Sequence, residues 1–199
     1  LNRVFYADNG SAAIEVALKM SFQFFANQGQ TKKQRFIALS NSYHGETLGA
    51  LSMADIPLYR QVYAPLLLTP IFAPCPDHLE QREDETEIEC AMRCTGLLEE
   101  LVSKHQHELC ALILEPLVQC AGGMRMYHPV YLEHARRICS QYSIHLIADE
   151  IAVGFGRTGS FFACEQANIS PDFLCLSKGL TGGFLPMSAV LTTDDIFNG

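Results

Sequence analysis

Lys178 is the residue in this sequence hardest to explain as a solubilising charge. It stands between an apolar run, Phe173-Leu-Cys-Leu176, and a glycine-bearing turn that runs from Gly179 to Gly183. An amine partly withdrawn from water at such a place loses basicity and becomes a nucleophile able to form a Schiff base. A lone strand-end lysine is more often a surface charge. Asp149 follows a second apolar run, His145-Leu-Ile-Ala148. A carboxylate there is costly unless something positive pairs with it. A helix cap or Arg157 would serve, and so would a protonated ring nitrogen.

Two further segments have the composition of binding loops. Asp8-Asn9-Gly10-Ser11 links a strand-like segment ending at Ala7 to a helical one. Gly10 lets the backbone approach a ligand, and the Ser11 hydroxyl with free helix N–H groups can hold a phosphate. An ordinary turn with Ser11 as N-cap explains the same residues. In Ser40-Asn-Ser-Tyr43-His44-Gly45 the Tyr43 ring can lie on a flat heterocycle. The plainer readings are a packed tyrosine and a loop histidine bonded to backbone.

The elements that must position these residues alternate along the chain. Residues 13 to 28 read as a helix from Ile14, Leu18, Phe22 and Phe25. Helices are also expected over 86 to 105 and 131 to 142. Strands are expected at 35–39, 110–115, 145–148, 173–176 and 189–191. Five prolines between Pro57 and Pro76 mark an irregular stretch. Short apolar strands alternating with amphipathic helices predict an α/β domain with a mainly parallel sheet. In such sheets ligands bind beyond the carboxyl ends of the strands, and all four segments stand after predicted strands.

Composition narrows the class. Residues 1–199 suffice for one domain with a sizeable core. A net charge of -8, with Lys and Arg scattered, argues against non-specific nucleic-acid binding. There is no apolar run long enough for a membrane span and no signal pattern, so a soluble cytoplasmic protein is expected. The eight cysteines include no CxxC pair, and several sit inside apolar runs. They read as free thiols in a reducing compartment, not as a zinc site or disulfide framework. No metal is expected. The chain opens at Leu1 in what reads as a strand and stops just after another, so it is expected to be a fragment truncated at both ends.

The four sites, in this chain order, match the type I pyridoxal-phosphate fold. Asp8-Asn-Gly-Ser-Ala-Ala-Ile-Glu15, Ser42-Tyr-His-Gly45, Leu114-Glu-Pro-Leu-Val-Gln119, the run from Ala148 to Gly159 and Leu176-Ser-Lys-Gly-Leu-Thr-Gly-Gly183 resemble the class III aminotransferases. The resemblance covers nearly the whole chain. It implies the large, cofactor-binding domain of such an enzyme, with a small domain built from both termini absent. Within the class, Gln119 to Pro129, Phe161 to Glu165 and Leu180 to Thr193 resemble the branch that moves an amino group from S-adenosylmethionine to 8-amino-7-oxononanoate in biotin biosynthesis. Cys120 stands where that branch usually has glycine.

The resemblance also implies roles. Lys178 would bind pyridoxal 5'-phosphate and then move the proton during transfer. Asp149 would keep the pyridine nitrogen protonated. Gly10 and Ser11 would hold the phosphate, Tyr43 would cover one ring face, and Ile151 the other. Gln119 would reach the phenolic oxygen, and Glu115 lies near the site without an assigned role. A homodimer with sites at the subunit interface is implied, and the fragment alone is expected to turn over poorly. Other class III chemistries with ω-amino acid, ornithine or glutamate-semialdehyde substrates share these motifs, and an inactive structural relative is the alternative from outside catalysis. A dinucleotide-binding domain is set aside because no GxGxxG follows the first strand.

Overall fold

Apolar runs too short for helices become strands, and the amphipathic segments between them become the helices that cover both faces of the sheet. The computed structural model describes residues 1–199. In chain order they form β1 (Arg3–Ala7), α1 (Gly10–Asn27), β2 (Arg35–Leu39), α2 (Leu48–Ser52), α3 (Pro57–Arg60), β3 (Ile71–Ala73), α4 (Glu87–His105), β4 (Leu109–Leu114), β5 (Val118–Gln119), β6 (Arg125–Met126), α5 (Val130–Gln141), β7 (His145–Asp149), β8 (Phe173–Leu176), β9 (Ser188–Thr192) and α6 (Asp194–Asn198). Seven strands make one sheet in the order β1-β9-β8-β7-β4-β2-β3, and β5 pairs with β6 in a small hairpin.

The directions of the strands decide where a site can form. β3, β2, β4, β7 and β8 are mutually parallel, β9 is antiparallel to β8, and β1 is antiparallel to β9. β1 therefore runs the same way as β8, and β9 alone is reversed. The carboxyl ends of β1, β2, β4, β7 and β8 all open onto one rim, as the mainly parallel reading requires.

The core lies in two layers, one on each face of this sheet. α4 and α5 pack Leu98, Val102, Leu132 and Ile138 against Ile37, Leu112, Leu114 and Leu146. On the other face α1 packs Ile14, Ala17 and Leu18 against Ala38, Ala111, Ile113, Ile147 and Phe173. β4 is buried along its whole length, as a central parallel strand covered on both faces must be. Each fully buried leucine or isoleucine there stabilises the fold by about 1.5–3 kcal/mol.

Most predicted elements fall within a few residues of the observed ones, and the differences have local causes. α1 starts at Gly10 instead of residue 13, because Asn9, not Ser11, is its cap: the Asn9 side chain accepts the Ala12 N–H at 2.9 Å. α4 starts on a capping box in which Thr86 and Glu89 exchange side-chain-to-backbone bonds. The proline-rich stretch contains the short strand β3, flanked by Pro70 and Pro74. It lies at the sheet edge, where a missing N–H breaks no ladder.

His145 begins β7 in a buried aromatic nest. Its ring lies 4.7 Å from Phe25, 5.0 Å from Phe24 and 5.5 Å from Phe173, and Nδ1 is 2.8 Å from Ser21 Oγ. Burial pushes its pKa down to about 4, against the weaker upward pull of Asp172. The folded state therefore resists a proton that the unfolded state accepts at its ordinary value. Stability is complete above the unfolded pKa of ~6.5 and declines as pH falls from there towards 4, by about 3 kcal/mol at most. Urea unfolding followed across this window should show the decline, and His145→Asn should flatten it.

Candidate active site

The rim formed by the strand ends encloses a cavity of about 260 Å³. Its walls bring together Gly10, Ser11, Tyr43, Asp149, Ile151 and Lys178 from four different strand ends or the turns after them, with Glu115 and Cys120 beside them. Residues separated by up to most of the chain thus share one small space. Each arrives there because its strand runs in the common direction.

Asp149 closes β7 and is 5% exposed. Its Oδ2 lies 2.7 Å from Nδ1 of His44, which is fully enclosed, and its Oδ1 accepts the Ile151 N–H at 3.1 Å. The partner is therefore His44, and neither Arg157 nor a helix cap takes that role. The second ring nitrogen of His44, Nε2, is buried without a hydrogen-bond partner. The next carboxylate, Glu150, turns away from the cavity and accepts the N–H groups of Ala163 and Cys164, each at 2.8 Å. One acid of the Asp-Glu pair is left for chemistry while the other fixes the loop behind it.

Lys178 follows β8 after a single residue and opens a short 3-10 turn closed by the Leu180 N–H to the Ser177 carbonyl at 2.7 Å. Its φ of 31° is an uncommon conformation for a residue with a side chain. Strain of this kind costs on the order of 1–3 kcal/mol and gathers at working sites. Gly179 is required next: a Cβ there would come within 2.5 Å of the Phe155 ring. The place of Lys178 between an apolar run and a glycine-bearing turn suggests a partly desolvated amine. The lysine is instead exposed, at the mouth of the cavity.

The opposite wall is the start of α1. Asn9 consumes the Ala12 N–H, which leaves the first-turn N–H groups of Gly10 and Ser11 for an anion. A Cβ on Gly10 would sit 3.2 Å from Ile151, so this turn and the hydrophobic wall of the cavity are in close contact. The Ser11 Oγ accepts the Glu46 N–H at 3.0 Å and keeps its own proton to donate. Tyr43 is half-buried, with its hydroxyl donating to Glu46 at 2.8 Å and its ring 5.1 Å from Tyr59. Burial and the Glu46 carboxylate raise its pKa, so it stays a neutral phenol.

Gly45 locks these pieces together. It has φ of 131°, and a Cβ on it would lie 2.2 Å from Ser11 Oγ and 3.0 Å from Ser11 Cα. Gly45→Ala should therefore displace the start of α1 and lower stability by about 2 kcal/mol or more, given the strained backbone alone. Chemical denaturation measures this, and an unchanged midpoint would contradict the close packing seen here.

Gln119 is the sequence-derived candidate that the fold does not bring into the cavity. It is fully buried, its Nε2 donates to the Ser40 carbonyl at 2.9 Å, and its Oε1 accepts from the Cys75 thiol at 3.0 Å. The strand β5 turns it into the interior and presents Cys120 instead. All eight cysteines are free thiols. Sequence reasoning missed His44 as a partner of Asp149. The signal was its place directly after Tyr43 at a strand end, but the pairing spans 105 residues.

A flat ring with a basic nitrogen and a phosphate suits this donor set: a buried carboxylate for the nitrogen, an aromatic face, an apolar face, free N–H groups for the phosphate and an amine within the same walls. The family model for class III aminotransferases matches residues 2–199. The chain belongs to that family.

Relatives agree with the assignment. An adenosylmethionine-8-amino-7-oxononanoate aminotransferase from Helicobacter pylori is 52% identical over 199 residues, covering all of this chain and 44% of the relative. The crystal structure of the enzyme of that name from Methanocaldococcus jannaschii superposes with a TM-score of 0.88 at 37% identity, covering all of this chain and 43% of that one. An ω-transaminase from Pseudomonas jessenii, solved in complex with PMP, gives a TM-score of 0.93 at 31% identity, again covering all of this chain and 44% of its own. The class III chain described here thus spans less than half the length of these relatives. Its mixed sheet with flanking helices is theirs.

Proposed function

We propose that the protein containing this chain is a pyridoxal-phosphate-dependent aminotransferase that moves an amino group from S-adenosylmethionine to 8-amino-7-oxononanoate. The observation that carries the reading is the convergence of Lys178 and the doubly held Asp149 on one cavity with a free helix N-terminus. The choice of substrates rests on the relatives, which carry that name at 37–52% identity. The ω-transaminase structure shares the fold equally well at lower identity, so it supports the chemistry and not the donor.

When bound, the cofactor supplies an electron-accepting ring that stabilises negative charge on the carbon losing its proton. The rest of the work falls to residues of this chain. Gly10 and Ser11 bind the phosphate through N–H and hydroxyl donors, at the positive end of an 18-residue helix. Tyr43 and Ile151 confine the ring between an aromatic and an aliphatic face. Asp149, oriented by His44 and the Ile151 N–H, holds a proton on the ring nitrogen. Lys178 would hold the cofactor through Nζ, and its amine would be the group that takes up and returns a proton at the reacting carbon.

Several apolar side chains near this rim or in the connections are exposed, among them Leu58 at 81%, Val62 at 81% and Phe184 at 87%. Patches of this kind support burial by a second copy, in a homodimer. No helix is long and apolar enough to cross a membrane, and eight unpaired thiols fit a reducing cytoplasm.

The test is to incubate the full-length protein with pyridoxal phosphate, reduce with borohydride and map the labelled peptide by mass spectrometry. A single stoichiometric label on Lys178 is expected. Labels scattered over many lysines, or none, would overturn the reading. Offering adenosylmethionine and ω-amines in parallel as amino donors then decides the substrate assignment.

A further inference from the structure

Glu115 is a buried carboxyl in the cavity to which the proposed reaction gives no task. It follows β4, is 4% exposed, and lines the same walls as Asp149 and Lys178. The two carboxyls are held very differently. Asp149 has a short bond from a ring nitrogen at 2.7 Å and a backbone N–H at 3.1 Å. The donors close to Glu115 are weaker: the Tyr43 N–H at 3.4 Å from Oε2, and the backbone of Cys120. Tyr43 and His44 are consecutive, so one dipeptide serves both acids, with a backbone amide for Glu115 and a ring for Asp149.

Charge balance separates them further. Groups facing Glu115 are Asp149 from the end of β7, Lys178 from the turn after β8, and the Tyr43 and Cys120 backbones. The lysine is the one cation among these, and it is shared with a second carboxyl group, that of Asp149. A second buried anion beside Asp149 would be without a counter-charge, which is costly in a poorly solvated space. Burial first, then the Asp149 charge, push the Glu115 carboxyl well above the ordinary carboxylate range, and the Tyr43 N–H and Lys178 offset only part of this. Of the two acids in this pocket, Glu115 is the one whose surroundings favour the neutral form.

We propose that Glu115 is a neutral acid of this site that donates a hydrogen bond into the cavity, to an oxygen acceptor on the bound ring. It takes the place that the sequence assigned to Gln119, whose amide is consumed by Ser40 and Cys75. A ring oxygen that carries negative charge would be an acceptor of the right chemistry, because a neutral acid could share a proton with it without adding another anion to the cavity. This inference rests on the cofactor reading above.

Two variants of the full-length protein test it. Glu115→Gln keeps the shape and a donating N–H but cannot ionise, whereas Glu115→Leu keeps the volume and loses the donor. If Glu115 is a neutral donor, Glu115→Gln should bind pyridoxal phosphate within about twofold of the unsubstituted protein, and Glu115→Leu should bind it about tenfold more weakly, the size of one net hydrogen bond. The visible absorption band of the bound ring should shift in the leucine variant and not in the glutamine variant. Infrared spectra should show a protonated carboxylic acid band at neutral pH that both substitutions remove. Equal weakening in the two variants, or no such band, would overturn the proposal while Lys178 labelling persists. Absence of the Lys178 label in the unsubstituted protein would instead overturn the cofactor reading, and this inference with it.

Discussion

Replacing Lys178 with alanine in the full-length protein is expected to abolish the borohydride-fixed label and to lower turnover by about 100- to 10,000-fold. The range is what a positioned proton-transfer group contributes, and loss of the covalent anchor acts in the same direction. Fold stability should change little, because the side chain is exposed and packs no core. Relief of the positive φ at this position does not require the side chain to be lost either. Lys178→Arg is the sharper comparison. It preserves the cationic charge near Glu115 but supplies neither a nucleophilic amine nor a proton carrier at neutral pH. If charge alone mattered, arginine would rescue; the chemistry proposed here requires that it fail as completely as alanine. Steady-state rates with both substrates, read beside circular dichroism of each variant, decide the matter.

Asp149→Asn should have the second largest effect, a fall in turnover of about 100- to 1,000-fold, comparable with removing one preorganised electrostatic partner from an active site. Asparagine has nearly the same shape, and its one amide oxygen can still accept the Ile151 N–H while its NH2 donates to Nδ1 of a neutral His44, the two contacts that in the native protein measure 3.1 and 2.7 Å, so the geometry should survive. What disappears is the negative charge that keeps the ring nitrogen protonated. The expected signature is therefore split: cofactor is still attached to Lys178, though bound more weakly, and the rate of proton removal falls much further than the affinity. Asp149→Ala should add a structural cost, since it strands a buried His44 whose Nε2 already lacks a partner. A variant with asparagine that turned over at the normal rate would show that this carboxylate does not govern the ring.

Much of this architecture was legible because it rests on local chemistry. β2 and β8 were readable to the residue as Arg35–Leu39 and Phe173–Leu176, since continuous apolar runs bounded by polar turns have one sensible place in a sheet covered on both faces. Asp149, Tyr43, Gly10, Ser11, Ile151 and Lys178 were visible for a related reason: each stands just after a strand or one turn beyond. The parts that were not legible depend on contacts between distant segments. Nothing near His44 in the chain announces that it will meet a carboxylate 105 positions later. That Gln119 lies outside the cavity wall while Cys120 lines it was not legible either, because a two-residue strand with no neighbouring periodicity cannot say which side chain faces inward. The cap of α1 was misplaced by two residues because Asn9 and Ser11 are both good caps and only the backbone angles choose.

The reversed strand β9 has a consequence for how the domain assembles. β1, which delivers the Asn9–Ser11 turn, pairs with no other strand than β9, joining Arg3 to Thr192 and Ala7 to Ser188. During synthesis on the ribosome, the first strand must therefore wait for almost the whole of this stretch to emerge before it has anything to bond. Loop closure over such a distance is slow and comes late in folding. The lysine wall and the carboxylate wall, on neighbouring strands β7 and β8, can form earlier from nearer segments. Within this stretch the Asn9–Ser11 turn is then the last wall of the candidate site to be fixed, after the β7 and β8 walls that carry Asp149 and Lys178.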